Sequence, residues 1–186
     1  MVLGTREKII NAFFKLAKKY PDKTTFSLTE IAAQAGISRQ AIYRNHFNNT
    51  KEITNYIFRQ IDHDIFEKFS AYDPLTDGNP LEFFKIHIIP ALYNLREWLD
   101  CLYSTSIGVN WRKYLCCKYE KWLADYSEAT NSNWEISNES ARRFIVNSVI
   151  SIIDTWITDE DALEPKDFQE VFEALVTTPL TNYFEK

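Results

Sequence analysis

Apolar residues recur every three or four positions along most of this chain, and short polar breaks divide them into segments. After Thr5, Ile9, Phe13, Leu16, Ala17 and Tyr20 follow at helical spacing, with lysines on the opposite face. Thr5 is the expected cap. Pro21 disfavours helical geometry at the residue before it, so the helix should end near Lys19. Lys18 and Lys19 then occupy the last turn, where cations suit the helix dipole.

The next stretch carries the most information. Ser27-Leu28-Thr29-Glu30 fits a capping box, a hydroxyl three residues ahead of a carboxylate. Leu28, Ile31, Ala32 and Ala35 make one apolar stripe over two turns. Gly36 stands where that helix must stop, because glycine tolerates the left-handed conformation of a sharp turn. Ile37 can tuck beneath the turn. Ser38 caps a second short helix, Arg39 to Asn45, on which Ile42 alone is strongly apolar. Its other face carries Arg39, Gln40, Tyr43 and Arg44.

Further helices are expected from Lys51 to Phe69, from Leu81 to Leu99, through Trp111 to Tyr126, from Asn138 to Ile157, and from Pro165 to a stop at Pro179. Ile53, Ile57, Ile61, Ile65 and Phe69 form the stripe of the first of these. Phe84, Ile88, Leu92, Leu95 and Leu99 form the inward stripe of the second, which Pro90 should kink. Loops fall at 72–80, 104–108, 131–134 and 158–161. The expected fold is all-α with about nine helices. Residues 1–48 would be a three-helix helix-turn-helix domain and residues 49–186 a larger helical domain.

Composition agrees with this pattern. Four Gly and six Pro in 186 residues leave few turns, which favours long helices over sheets. Charge changes the picture more. The net charge is −5, yet residues 1–52 hold nine basic and four acidic side chains, a local +5; the remainder holds 12 basic and 22 acidic, or −10. An acidic protein with a basic N-terminal quarter keeps nucleic acid open as a partner. Three cysteines, Cys101, Cys116 and Cys117, give neither a disulfide framework nor zinc spacing. No run resembles a signal peptide or approaches the length of a membrane span, so the cytoplasm is the expected compartment and no membrane is an expected partner.

Two short helices joined by a glycine turn form a helix-turn-helix. The DNA-binding form needs a small residue where the helices touch, a turn glycine and a buried aliphatic on the second helix; Ala32, Gly36 and Ile42 supply them. That second helix must offer hydrogen-bonding side chains to the major groove. Arg39 and Arg44 can reach guanine bidentately and Gln40 can reach adenine. Ser27, Thr29, Tyr43, His46 and Lys51 suit phosphate contact, with Ser38 at the helix start beside them. The bland alternative is an ordinary pair of packed helices.

The run SLTEIAAQAGISRQAIYRNHFNNTKEI, residues 27–53, resembles the N-terminal domain of the TetR family of transcription regulators. The shared features are Ile31-Ala32, Gly36, Tyr43, His46-Phe47 and Lys51. The stretch from Tyr43 to Lys51 is slightly longer than the commonest family pattern. Over residues 5–58 the resemblance is specific; beyond them only the general helix layout and the segment around Trp156 match. It implies a homodimeric, all-helical regulator, usually a repressor, whose first three helices bind a double-stranded operator and whose last two long helices pair with a second copy. That pairing surface would comprise Phe144, Val149, Ile152, Ile153, Trp156, Phe168, Val171, Phe172 and Leu175. The same stripes also read as intramolecular core, and one helix can serve both.

An unknown small-molecule effector would sit between helices of the larger domain and relieve operator binding. Phe83, Phe84, His87, Tyr93, Trp98, Tyr103, Trp111, Trp122 and Trp156 are the candidate lining, although rings at helical spacing are more often core. A ligand-independent alternative is a module of the same fold that docks a protein partner through its acidic domain; a deep pocket would favour the ligand instead. No cofactor is expected, and no enzyme: His46, His63 and His87 lie on separate segments and no catalytic motif occurs. Asp62-His63-Asp64 reads as a solvated face, because neighbours on a helix point about 100° apart. Cys116-Cys117 reads as packing rather than a redox pair.

Overall fold

The computed structural model describes residues 4–44, 47–126, 136–178 and 182. Helix α1 spans Thr5–Lys19, α2 Leu28–Ala35, α3 Arg39–Arg44 and α4 Thr50–Ala71. Helix α5 begins at Pro80–Phe83, widens into a π-helical turn at Phe84–Ile88 and resumes over Ile89–Asn94. Helix α6 is Arg96–Tyr103, α7 Gly108–Tyr126, α8 Asn138–Thr158 and α9 Pro165–Thr177. Among the described residues that makes nine α-helices and no strand, the expected fold class.

The helix starts follow the chemistry read from the sequence, with one correction. Gly4, not Thr5, caps α1, and the Glu7 carboxylate accepts its N–H at 2.9 Å. Ser27 caps α2 as expected: Glu30 N–H donates to Ser27 Oγ at 3.2 Å, and Ser27 N–H donates to Glu30 Oε2 at 2.9 Å. Gly36 ends α2 at φ +66° with open space around it, so the left-handed backbone alone demands glycine there. Ser38 Oγ accepts from Ala41 N–H at 3.1 Å and starts α3. Asn49 caps α4, accepting from Glu52 N–H at 2.9 Å.

The helix expected over Leu81–Leu99 is two helices. Pro90 has no N–H, so the helical ladder cannot run through it unchanged. The chain responds with the π turn, in which Ile89 N–H reaches back five residues to Phe84 O. A proton from residue 90 would have served Lys85 O in that pattern; Gln169 of α9 supplies one instead, Nε2 to Lys85 O at 2.8 Å. The Lys85 ammonium pairs with Glu173 one turn further along α9 and with Glu82 at 2.9 Å. The continuing helix then breaks at Leu95, and α6 starts at Arg96. Helices α5 and α9 are therefore joined at the position where the proline orphans a carbonyl.

Helices α1 and α2 pack together around Ile9, Phe13, Phe26 and Ile31, with Phe13 and Phe26 edge to face at 5.8 Å. Ile42, fully buried, fastens α3 to them. The same apolar core continues through the larger helices, with Ile57 and Ile61 of α4 and Leu99 and Leu102 of α6 in it. No described helix is long and apolar enough to cross a membrane.

Candidate nucleic-acid interface and cavity

On α3 the burial of Ile42 fixes which face looks outward. Arg39, Gln40, Tyr43 and Arg44 are all exposed. Arg39 and Tyr43, one turn apart, are arranged together: Arg39 Nη2 donates to Tyr43 Oη at 3.0 Å and the guanidinium lies over the ring at 5.8 Å. Gln40 and Arg44 have no partner among the described residues. Ser27, Thr29, Ser38 and Lys51 are exposed as well. The hydroxyls of Ser27 and Ser38 already serve as helix caps, and Ser27 Oγ also donates to Glu30 at 2.9 Å. Asn45, the expected last residue of this helix, and His46 lie outside the described residues.

Glu30 is held in place twice. Its carboxylate pairs with Lys23 and accepts from Ser27, and these contacts, Lys23 first, hold its pKa at about 2. The charge that closes the α2 cap is thereby maintained at any ordinary pH.

A cavity of about 380 Å³ lies among α4 to α8. The expected inward stripe Phe84, Ile88, Leu92, Leu95 and Leu99 lines it instead of filling it. Of the candidate rings, Phe84, Tyr103, Trp111 and Trp122 are in the wall. Phe83, His87, Tyr93, Trp98 and Trp156 are not. Phe83 and His87 share a face of α5 one turn apart, their rings 4.9 Å from each other, while Phe84 and Ile88 point to the cavity. Tyr93 hydrogen bonds Glu164 at 2.9 Å, and Trp98 packs on Phe14 of α1. Trp156 stacks on Phe168 with centroids 3.9 Å apart and donates its indole N–H to Leu163 O at 2.9 Å.

Asp62 corrects the solvated reading of Asp62-His63-Asp64. It is 2% exposed and lies in the cavity wall. Its carboxylate pairs with Lys118 and accepts from Tyr119 Oη at 2.6 Å and Tyr114 Oη at 3.2 Å. Burial, then the adjoining Asp62 charge, pushes both phenols above their ordinary range. The signal was present in the sequence: Asp62 falls one turn after Phe58 and between Ile61 and Ile65, on the buried side of α4. His63, Asp64 and Glu67 do face solvent, clustered on the other side of that helix.

Helix α6 stands between the cavity and α1. Leu99 and Tyr103 face the cavity. From the same helix Trp98 meets Phe14 at 5.2 Å, Asp100 pairs with Lys18 at 3.7 Å, and Cys101 Sγ lies 3.8 Å from Phe14 O. Just beyond it, Ser106 N–H donates to Pro21 O at 2.7 Å. Burial pushes the Cys101 thiol up to about 11 and raises that of Cys116 as well, which disfavours the reactive thiolate in both.

The positions proposed for pairing with a second copy divide. Ile153, Trp156, Phe168 and Phe172 are buried within one copy, with Ile153 in the cavity wall, so the intramolecular reading applies to them. Val149 also lines the cavity, and Val149 and Ile152 are half-buried. Phe144, at 57% exposure, and Val171 and Leu175, at 39% and 37%, present apolar surface on α8 and α9. Ile145, which also lines the cavity, and Val176 are likewise exposed.

No family model matches the chain, and no curated protein matches it in sequence. Solved structures do. NalD, the secondary repressor of the MexAB-OprM multidrug efflux pump in Pseudomonas aeruginosa, is 19% identical, with a TM-score of 0.61 over 92% of this chain and 93% of its own. The fatty acid degradation regulator FadR from Bacillus halodurans is 15% identical, with a TM-score of 0.61 over 97% of this chain and 98% of its own. The chain shares the fold of these two regulators.

Proposed function

We propose that this protein is a homodimeric transcription regulator that binds an operator through α3 of each copy and is released from it by a small molecule in the cavity, acting as a repressor. The observation that carries the reading is the outward face of α3. Arg39, Gln40, Tyr43 and Arg44 form an exposed, hydrogen-bonding, positively charged surface on a helix that Ile42 holds in a helix-turn-helix. Such a helix fits the major groove, where arginine and glutamine distinguish base pairs. Thr29, Tyr43 and Lys51 flank it as phosphate contacts, with His46 completing the set. Residues 1–48 act as the reading head.

The pairing surface is the exposed apolar strip Phe144, Val171 and Leu175, with Ile145 and Val176. Two copies must set their α3 helices ~34–36 Å apart to enter successive major grooves. Helix α6 supports a route from ligand to that spacing. A molecule that displaces Leu99 or Tyr103 moves the helix that carries Trp98, Asp100 and Cys101 against α1. A ligand favouring another spacing then shifts the population away from DNA. The cavity favours this reading over a module that only docks a protein.

Selection of bound duplexes from a randomised pool tests the proposal. The expected product is an inverted repeat with half-site centres about one helical turn, or a whole multiple of it, apart. A pool that stays unenriched rejects DNA reading, and a lone half-site rejects the dimer.

A further inference from the structure

The cavity runs along the helices, and its two ends differ. Helices α4 and α7 lie side by side and parallel, from Phe58 against Trp111, centroids 5.2 Å apart, to Phe69 against Trp122 at 5.1 Å. Helix α8 runs the opposite way beside α7, because Arg112 pairs with Asp154 and Glu120 with Arg143 at 3.9 Å. The wall residues Trp111 and Trp122 therefore mark opposite ends, ~16 Å apart at the helical rise. The Trp111 end is closed: Leu99 and Ile153 are 1% and 3% exposed there, and the Trp111 N–H has no surface open to the space. At the Trp122 end Phe69 also meets Phe84 at 6.0 Å. Pro80, one turn before Phe84, and Ile145, two residues from Arg143, are the exposed wall residues, and both belong to that end. Between the ends stands Asp62, the one charged wall residue among those described, engaged by Lys118, Tyr114 and Tyr119. The Lys118 ammonium, 3.6 Å from the centre of the Phe66 ring, is committed with it. A charge carried past the ring-lined opening thus meets no partner for either sign.

We propose, resting on the reading of the cavity as the effector site, that its ligand is an elongated alkyl-substituted aromatic molecule that enters chain first. The uncharged chain passes Ile88, Leu92 and Ile150 and ends against Leu99 and Ile153. The ring stays among Phe69, Phe84 and Trp122, where edge and face contacts between rings favour it. Any polar or charged group on the molecule belongs on that ring, at the opening and in reach of water.

Two isomeric acids test the orientation, 4-hexylbenzoate and 7-phenylheptanoate, each titrated calorimetrically into the full-length protein at neutral pH. They share one composition and one charge, and differ in whether the carboxylate is on the ring or at the end of the chain. 4-Hexylbenzoate should bind at least about tenfold more tightly, because only its charge stays at the opening. Ile153→Phe narrows the closed end; it should weaken 4-hexylbenzoate about tenfold and leave the shorter 4-ethylbenzoate unchanged. The comparison of isomers is made on the wild type, so it decides the matter even if this variant does not fold. Equal affinities, the reverse order, no binding by either isomer, or a folded Ile153→Phe protein that binds 4-hexylbenzoate undiminished overturns the proposal. Isomers that bind in the expected order while the tighter one leaves DNA affinity unchanged sink the release reading and leave the cavity chemistry standing.

Discussion

Phe14 of α1 and Trp98 of α6 lie with ring centroids 5.2 Å apart, joining the helix-turn-helix to the helix that walls the cavity. The Lys18–Asp100 pair and the hydrogen bond from Ser106 to Pro21 flank that contact. Trp98 was a candidate for ligand contact; its position makes it a connector instead. A double-mutant cycle of Phe14→Ala and Trp98→Ala, read by urea unfolding, should give a coupling of ~0.5–1.5 kcal/mol. Strictly additive losses would mean that the rings do not support one another in solution.

Lys51 lies in the first turn of α4, exposed, where free backbone amides and its ammonium both favour phosphate. Lys51→Ala should weaken binding to duplexes of every sequence and lower the slope of log affinity against log salt by about one. An unchanged slope removes Lys51 from the interface.

The α2 cap makes a pH prediction. Glu30 titrates at about 2 in the folded protein against an ordinary 4.5. A depressed carboxylate contributes stability above its unfolded value and loses it as pH falls through the folded one. The contribution is therefore complete above pH 4.5 and gone below about 2. Glu30 is at the surface, so the effect is modest, and it should appear as a shallower acid dependence of thermal unfolding in Glu30→Gln. Identical profiles for the two proteins would show that the cap does not hold its charge this way.

The fold was largely legible from the chain because its signals are local. Ser27, Glu30 and Gly36 set α2 through groups within nine residues of one another, and a 3.6-residue stripe needs no tertiary information. Pro90 announced a disturbance, but its form depended on Gln169, nearly eighty residues away, so the break at Leu95 was not visible. The cavity was harder still. Phe84, Ile88 and Leu92 read the same whether their face meets another side chain or an empty space. Choosing rings over aliphatics therefore found only part of the wall. Asp62 was misread because its neighbours His63 and Asp64 are solvated, although its register with Phe58 placed it inside.

Pairing of two copies is open to a direct check at Leu175. This side chain is 37% exposed on α9 beside Val171, so a charge there costs one copy little. Across an apolar interface the same charge is buried without a partner. Leu175→Glu should sediment as a monomer with a nearly unchanged unfolding temperature. A dimer of wild-type strength would move the interface to other surface.

The central claim is that α3 reads base sequence. It is tested most directly by fluorescence anisotropy on a selected duplex and a scrambled duplex of equal length, comparing the wild type with Arg39→Ala/Arg44→Ala at one salt concentration. The wild type should prefer the selected duplex by roughly 10³ or more. The double variant should lose ~2–6 kcal/mol of that preference, ~1–3 for each base-contacting arginine, while retaining its fold. Full preference in the double variant would contradict the account.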